Sequence, residues 1–405
     1  MNNKTNFLNK ILDGAIVEWK AVGEVIKLEK GRQLNKELLS TNGLYPAFNG
    51  GISFSGYTDI NNYNENTIII SQGGASAGFV NFITTKFYAN AHCYIVLPDI
   101  KKVENRYIYH LLKLNQEKLM TKQHGAGIPA LRTSEILDIR IPIPCPNNPK
   151  KSLEIQQKIV AILDTFSELT AELTAELTAE LTARKMQYSY YREKLLTFDK
   201  NEVEWKTLGE VGEVRMCKRI LKEQTSDVGE IPFYKIGTFG KEPNAYITRK
   251  LFNDYRSKYN YPKVGEVLIS ASGTIGRTVI FDGEDAYFQD SNIVWIENNE
   301  SQVLNKYLFY FYQIAKWEIA DGGTIQRLYN ENLKKTKIPI PFPKDVKKSL
   351  KEQRSIVSIL DKFDVLTNSI SEGLPKEIAL RKKQYEYYRD LLLTFPKDSI
   401  KNGKE

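Results

Sequence analysis

The chain has 405 residues, a formal net charge of +8 and 41% hydrophobic residues, with mean hydropathy −0.40 and an isoelectric point near 9.0. That is enough apolar chain for two or three cores, while no run nears the roughly 20 apolar residues of a membrane span and Met1–Lys10 is too polar for a secretory leader. Cys93, Cys145 and Cys217 lack the paired short spacing of a disulfide framework or zinc site, which points to a reducing, cytoplasmic compartment, and the basic balance favours an anionic partner.

The first 149 residues read as short strands followed by a helix. Thr67–Ser71 and Cys93–Leu97 are runs of β-formers, and Arg106–Thr121 spaces its apolar residues for an amphipathic helix. A glycine-bearing loop, Gly125–Leu131, then leads through a short helix to Ile141-Pro-Ile-Pro144.

From Ser152 to Thr197 apolar residues recur at helical spacing (Ile155, Ile159, Ile162, Leu163, Phe166) with no Gly or Pro. One unbroken helix of about 69 Å is expected at ~1.5 Å per residue. Inside it Glu-Leu-Thr-Ala is repeated four times over residues 168–183. Leu169, Leu173, Leu177 and Leu181 form a stripe that drifts about 40° per repeat, so it serves a short contact with a partner helix and not a long zipper. Glu168, Glu172, Glu176 and Glu180 form a like-charged row that a basic neighbour would relieve. Low-complexity slippage in a solvated helix is the plainer alternative.

The second unit repeats the pattern. Glu266–Ser270, Arg277–Phe281 and Ile293–Ile296 read as strands, Lys306–Ala320 as an amphipathic helix, and Gly322–Leu328 as a loop before a short helix and Ile338-Pro-Ile-Pro341. Ser270–Gly276 reads as a tight turn between strands, not a phosphate cradle. A distal helical segment follows, with Ile359, Leu360, Phe363 and Leu366 as packing residues and a break near Glu372 imposed by Gly373-Leu-Pro375. Ser152 and Ser349 are the expected N-caps.

The likeness of the halves is a duplication. Val17-Glu-Trp-Lys20 returns as Val203-Glu-Trp-Lys206, an offset of 203 − 17 = 186, and Ile141-Pro-Ile-Pro144 returns at 338, an offset of 197. The second offset holds through Ile162-Leu-Asp164 and Ile359-Leu-Asp361, and through Tyr190-Tyr-Arg192 and Tyr387-Tyr-Arg389. Phe166 to Arg184 and Phe363 to Arg381 are both 18 residues, so the helical segments match in length and an antiparallel, pseudo-twofold pair is expected. The expected organisation is mixed α/β: a first globular domain at 1–149, a central helical spacer at 150–200, a second globular domain at 201–346, a distal helical spacer at 347–397 and a tail at 398–405.

Catalytic signatures are missing. There is no phosphate-binding P-loop, Gly73-Gly-Ala-Ser-Ala-Gly78 lacks its lysine, and neither a dinucleotide fingerprint, an Asn-Pro-Pro-Tyr segment nor His-Glu-x-x-His occurs. His92, His110 and His124 are scattered. The chain reads as a binder, not a catalyst. A stand-alone DNA methyltransferase or nuclease would need those motifs. A structural coiled-coil adaptor would leave two dissimilar globular units on a basic chain unexplained.

The duplicated Ile-Pro-Ile-Pro and Ile-Leu-Asp-x-Phe segments, the Thr-Ala-Glu-Leu repeat and the Arg-Lys-x-Gln-Tyr-x-Tyr-Tyr-Arg blocks at 184–192 and 381–389 resemble the specificity subunit of type I restriction-modification systems, its IC-like branch above all. Tyr45–Ile52 and Ile231–Ile236 are similar to segments of its target-recognition domains. The resemblance implies two globular target-recognition domains separated by two long antiparallel helices, each domain reading half of a split double-stranded DNA site. It also implies that the helices recruit two methyltransferase subunits and two restriction or motor subunits. S-adenosylmethionine, ATP and Mg are expected on those partners, with no cofactor or metal in this chain.

Side-chain amides and Arg or Lys in loops read base edges, while Thr, Tyr and backbone amides hold phosphates. The DNA-binding candidates are Asn49, Tyr57, Gln72, His124 and Arg132 in the first unit, and Lys235, Thr238, Lys241, Arg277, Gln326 and Arg327 in the second. The tyrosines at 188, 190, 191, 385, 387 and 388 lie on the long helices, where packing is expected over base stacking.

Overall fold

Ile68, Ile69 and Ile70 leave strand Thr67–Ser71 with no water-facing side, so it belongs inside a sheet. In the computed structural model, which describes residues 8–122, 129–199, 203–319, 326–369 and 372–395, that strand lies between Cys93–Pro98 and Val80–Ile83, with Ile26–Lys30 outside Cys93–Pro98, all antiparallel. A smaller sheet sets Tyr45–Phe48 antiparallel to Gly56–Thr58 and parallel to Tyr88–Ala89. The second unit repeats both. Its sheets run Glu213–Met216, Ile293–Glu297, Val267–Ser270, Thr278–Ile280, and Tyr246–Ile247, Ile231–Tyr234, Tyr287–Phe288.

The Ile-Pro-Ile-Pro segments form the third shared piece. Arg140–Pro144 pairs with Val17–Ala21, and Lys337–Pro341 with Val203–Thr207, in the same register. Proline cannot donate to a ladder, and a two-stranded ribbon, all edge, tolerates it. The buried hydroxyls of Tyr107 and Tyr307 each donate to a proline carbonyl of this ribbon, Pro142 and Pro339, at 3.0 Å.

The compact units do not follow chain order: one comprises Met1–Glu176 with Ile378–Glu405, the other Leu177–Glu377. The helix Pro149–Leu196 is unbroken over 48 residues, and the division falls inside its repeat. In the first unit Phe166 stacks on Tyr388 at 5.0 Å and Ser167 bonds the Tyr385 hydroxyl at 3.0 Å, so the helical segments run antiparallel. In the second, Tyr188 and Tyr191 stack on Phe363 at 6.1 and 5.5 Å. Tyr190 and Tyr387 stay exposed. The distal helices are Val346–Asn368 and Leu374–Leu393. At the break between them a β-carbon on Gly373 would fall 2.3 Å from the Val365 carbonyl oxygen, so only glycine fits. Among the described residues no helix is long and apolar enough to cross a membrane.

Several expectations need correction. Leu169 is 55% exposed and Ile359 38% exposed, while Leu360 is buried and Leu173, Leu177, Leu181, Phe363 and Leu366 are half-buried. At about 100° per residue Leu169 lies some 80–120° from the buried Ile159 and Leu163, whereas the stripe's drift brings Leu177 and Leu181 within about 40° of that face. Ile359 is likewise about 100° from Leu360.

Ser152 and Ser349 are not caps. Asn148 Oδ1 accepts from the Lys151 amide at 3.1 Å and Asp345 Oδ1 from the Lys348 amide at 3.0 Å. The expected helix 106–121 is divided at Asn115, whose side chain bonds the Leu111 carbonyl and competes with the backbone ladder. The helix expected over 306–320 ends at Tyr312, where the Ile314 amide turns back to the Phe311 carbonyl in a tightened last turn. Helix Arg249–Lys258, capped by Thr248, was not anticipated.

The two serines serve a different end. Each is buried and accepts from a fully buried glutamine one turn on, Gln156 at 3.0 Å and Gln353 at 3.1 Å. Gln156 also accepts from the Glu104 amide at 2.8 Å and donates to the Lys102 carbonyl at 3.3 Å. Gln353 does the same with the Leu304 amide at 2.9 Å and the Gln302 carbonyl at 2.9 Å.

Two turns further, Asp164 accepts from Arg106 Nε at 3.0 Å and His110 Nε2 at 2.7 Å. Burial pushes the Asp164 carboxyl up, but the hydrogen bonds from Arg106 and His110 outweigh it and hold it below its ordinary value. Burial, only partly offset by Asp164, holds His110 below its ordinary value.

Gln156→Leu or Gln353→Leu leaves a backbone N–H and C=O without their partner, and is expected to destabilise the protein by about 2–4 kcal/mol in denaturant titration. Because His110 is harder to protonate folded than unfolded, the stability it contributes is present above about pH 6.5 and declines as pH falls below that. His110→Tyr is expected to flatten this part of the thermal stability profile between about pH 5 and 7; an unchanged slope would assign it elsewhere.

Candidate nucleic-acid interface

Parallel pairing of the short strands brings two loops together in each unit. In the second, Ile231–Tyr234 runs into Lys235, and Tyr287–Phe288 runs into Gln289, whose amide donates to the Tyr234 carbonyl at 2.9 Å. Gln289 Oε1 accepts from the Ile236 amide at 3.0 Å. The chain then turns through Ser291 at φ 47° to Asn292. Asn292 Oδ1 accepts from the Ser272 hydroxyl at 2.7 Å and Arg327 Nη2 at 3.4 Å.

A cleft of about 210 Å³ opens there, with Arg219, Lys222, Lys235 and Arg327 among its walls and Asp290 as the single carboxylate. Arg219 lies 3.8 Å from Asp290. Cations around a small concave surface concentrate positive potential and suit a polyanion.

The structure therefore gathers Lys235 and Arg327, with Gln326 exposed beside Arg327. Thr238 bonds back to the Lys235 amide at 3.2 Å and shapes that turn, and the Lys241 amide closes the next turn onto the Thr238 carbonyl at 2.9 Å. Arg277 is turned to the Phe239 carbonyl at 3.0 Å. Ser270–Gly276 is a turn joining two strands, closed by the Gly276 amide on the Ser270 carbonyl.

The first unit builds the same frame. Tyr45–Phe48 runs into exposed Asn49, and the Asn90 amide donates to the Phe48 carbonyl at 2.8 Å. The next residue, Gly50, has φ 79° and passes so close to the His92 carbonyl that a β-carbon would sit 2.8 Å from it. The Gln72 amide donates to that carbonyl at 2.8 Å, as Ala271 does to Asn292 at 2.7 Å. The Leu131 amide donates to Gln72, as Leu328 does to Ala271, both at 2.8 Å.

This brings exposed Arg132 beside the group. The Tyr94 hydroxyl donates to the Leu131 carbonyl at 3.0 Å, and burial raises its pKa. Tyr57 lies on the neighbouring strand with its ring 4.9 Å from Phe54. His124 lies outside the described residues.

Arg219, Lys222 and Asn292 escaped the sequence reading, and the duplication held the signal. Offset 186 carries Gln33 to Arg219, Lys36 to Lys222 and Asn49 to Lys235, and offset 200 carries His92 to Asn292. Among the described residues no three or more His, Cys, Asp or Glu side chains gather as a metal site would require.

A duplicated pair of mixed α/β units, each with a polar loop frame bearing unlike side chains, defines a recognition chain. Residues 16–183 and 200–380 match the type I restriction modification DNA specificity domain. Over 406 residues the chain is 52% identical to a type I restriction enzyme specificity subunit of Haemophilus influenzae, covering 98% of this chain and 100% of that protein. It is 34% identical over 419 residues to the EcoR124I/EcoR124II specificity subunit of Escherichia coli, covering 98% of each.

A solved chain from work on complex assembly and conformational transition of the type I R-M system shares the fold, with a TM-score of 0.62 at 16% identity, covering 93% of this chain and 97% of that one. The chain belongs to the type I restriction-modification specificity subunits, whose role is DNA recognition and not catalysis.

Lys235→Ala and Arg327→Ala are each expected to weaken DNA binding by about 1–3 kcal/mol and to relax one half-site only, and Asn49→Ala to relax the other. Binding measured on duplexes altered one half at a time checks this. A uniform loss over all sequences would make the residue a phosphate contact instead.

Proposed function

We propose that the chain reads a bipartite, asymmetric double-stranded DNA site with a fixed non-specific spacer and carries two methyltransferase and two restriction or motor subunits to it. The observation that carries this reading is one loop frame built twice with unlike side chains. Asn49 stands where the second unit has Lys235, His92 where it has Asn292, and Ala130 where it has Arg327. A shared frame with the same side chains would serve non-specific phosphate binding, whereas an amide at 49 against an ammonium at 235, and a methyl at 130 against a guanidinium at 327, suit different base edges.

Asn49, Arg132, Lys235, Gln326 and Arg327 are exposed and are assigned to DNA directly, with His124, Tyr57 and Lys241. Gln72, Thr238 and Arg277 act on the shape of the loops. The domain assignments follow: residues 1–149 and 201–346 supply the readers, and 150–200 and 347–397 the spacers. S-adenosylmethionine, ATP and Mg belong to the partner subunits, and the assembly works in the cytoplasm.

The spacer is set by the long helix. Three Thr-Ala-Glu-Leu units, at 170–181, lie within its unbroken run. Each unit adds about 6 Å, the rise of roughly one to two base pairs, and the three together suit a spacer of roughly 6 to 8 base pairs. Deleting residues 174–177 is expected to shorten the spacer and leave both half-sites unchanged, read by methylome sequencing of cells expressing the chain with its partners. An unchanged spacer refutes the ruler.

A further inference from the structure

Each globular fold meets the helix beneath it through a second polar clamp beyond the buried glutamine, and the clamps are chemically unlike. Asp164 accepts from Arg106 and His110. Asp361, its counterpart at offset 197, accepts from Lys306 Nζ at 2.7 Å and the Tyr310 hydroxyl at 2.5 Å. Lys306 and Tyr310 stand at offset 200 from Arg106 and His110. The donors sit one turn apart, on Asn105–Leu114 and Asn305–Tyr312, and both close on one carboxylate.

We propose that Asp164 and Asp361 are positioning residues that set the rotation of each reader about its helical segment, and thereby the spacer length the protein accepts. The apolar packing beneath, Leu163 with Ile159 and Leu360 with Ile356, is non-directional and permits small rolling of one helix on another. A carboxylate held by two donors on a second helix resists it, since rolling lengthens one bond as it closes the other. The glutamine about two turns away supplies a second contact off the helix axis, and two such contacts along one helix fix both its rotation and its tilt against the fold. Adjacent base pairs differ by about 34° of helical rotation, so a reader held more tightly than that rejects a site whose spacer is one pair too long or too short.

That the same geometry is rebuilt from different donors in the second unit argues that the clamp's shape is what counts. The inference rests on the two-reader function proposed above. Its test uses the complex with its methyltransferase partner and duplexes bearing both half-sites with spacers of the native length and one pair to either side.

Wild type is expected to prefer the native spacer by about tenfold or more, the preference of Asp164→Asn to fall at least about threefold with half-site selectivity kept, and Arg106→Lys/His110→Tyr, which installs the second unit's donors, to behave as wild type. Arg106→Gln, which spares the His110 bond, gives the same reading should Asp164→Asn not fold. A peaked wild-type profile with an equally peaked Asp164→Asn and Arg106→Gln, or one lowered uniformly at every spacer, overturns the positioning role alone. A flat wild-type profile removes the two-reader function and the clamp with it.

Discussion

A buried carboxamide with all its partners supplied is the constraint on which each half of this protein rests. Gln156 and Gln353 have no exposed surface, and each accepts a backbone N–H and donates to a backbone C=O just before the helix of its globular fold. Apolar burial drives helix and fold together but leaves their register soft. An unpaired amide in that interior costs about as much as a whole buried methylene or more, so only one register satisfies it. The serine one turn earlier, buried in both halves, holds the glutamine in the rotamer that register requires.

With each fold fixed on its helix by the glutamine, the loop frames rest on their own bonds. The backbone bonds that tie Gln72 to His92 and Ala271 to Asn292 do not depend on the side chains they carry, and the close approach at Gly50 needs only the absence of one. Side chains at 49, 130 and 132, or at 235, 327 and 329, then change without cost to the core. A protein built this way separates the docking of each unit from the loop surface proposed to read DNA.

The constant part was legible in the sequence because it is periodic or repeated. Ile155, Ile159 and Leu163 announce a helix by spacing, Gly373-Leu-Pro375 announces the interruption of the distal one, and the Ile-Pro-Ile-Pro offset announces a second copy. What was missed depends on contacts distant in sequence. Ser152 reads locally as a cap, and only Gln156 bonding across to Lys102 and Glu104 shows why it lies inside. Leu169 belongs to the stripe in sequence and leaves it in space, because a four-residue repeat outruns the 3.6-residue turn. Asn292 carries no motif, and its place in the cleft comes from the parallel pairing of strands whose paired residues, Phe233 and Tyr287, lie 287 − 233 = 54 positions apart.

The acidic row on the long helix completes this division. Glu168, Glu172, Glu176 and Glu180 are all exposed, and Arg184 meets Glu180 at 2.7 Å at the end of the row. Carboxylates at this spacing repel phosphate, so this face of the repeat is poorly suited to lie on a DNA backbone. Arg219, Lys222, Lys235 and Arg327 gather instead around the loop frame of the second unit. In the proposed function, a helix electrostatically averse to the duplex would set a distance without reading the bases it spans. That is the property the proposed non-specific spacer requires, and a repeat of low complexity supplies it.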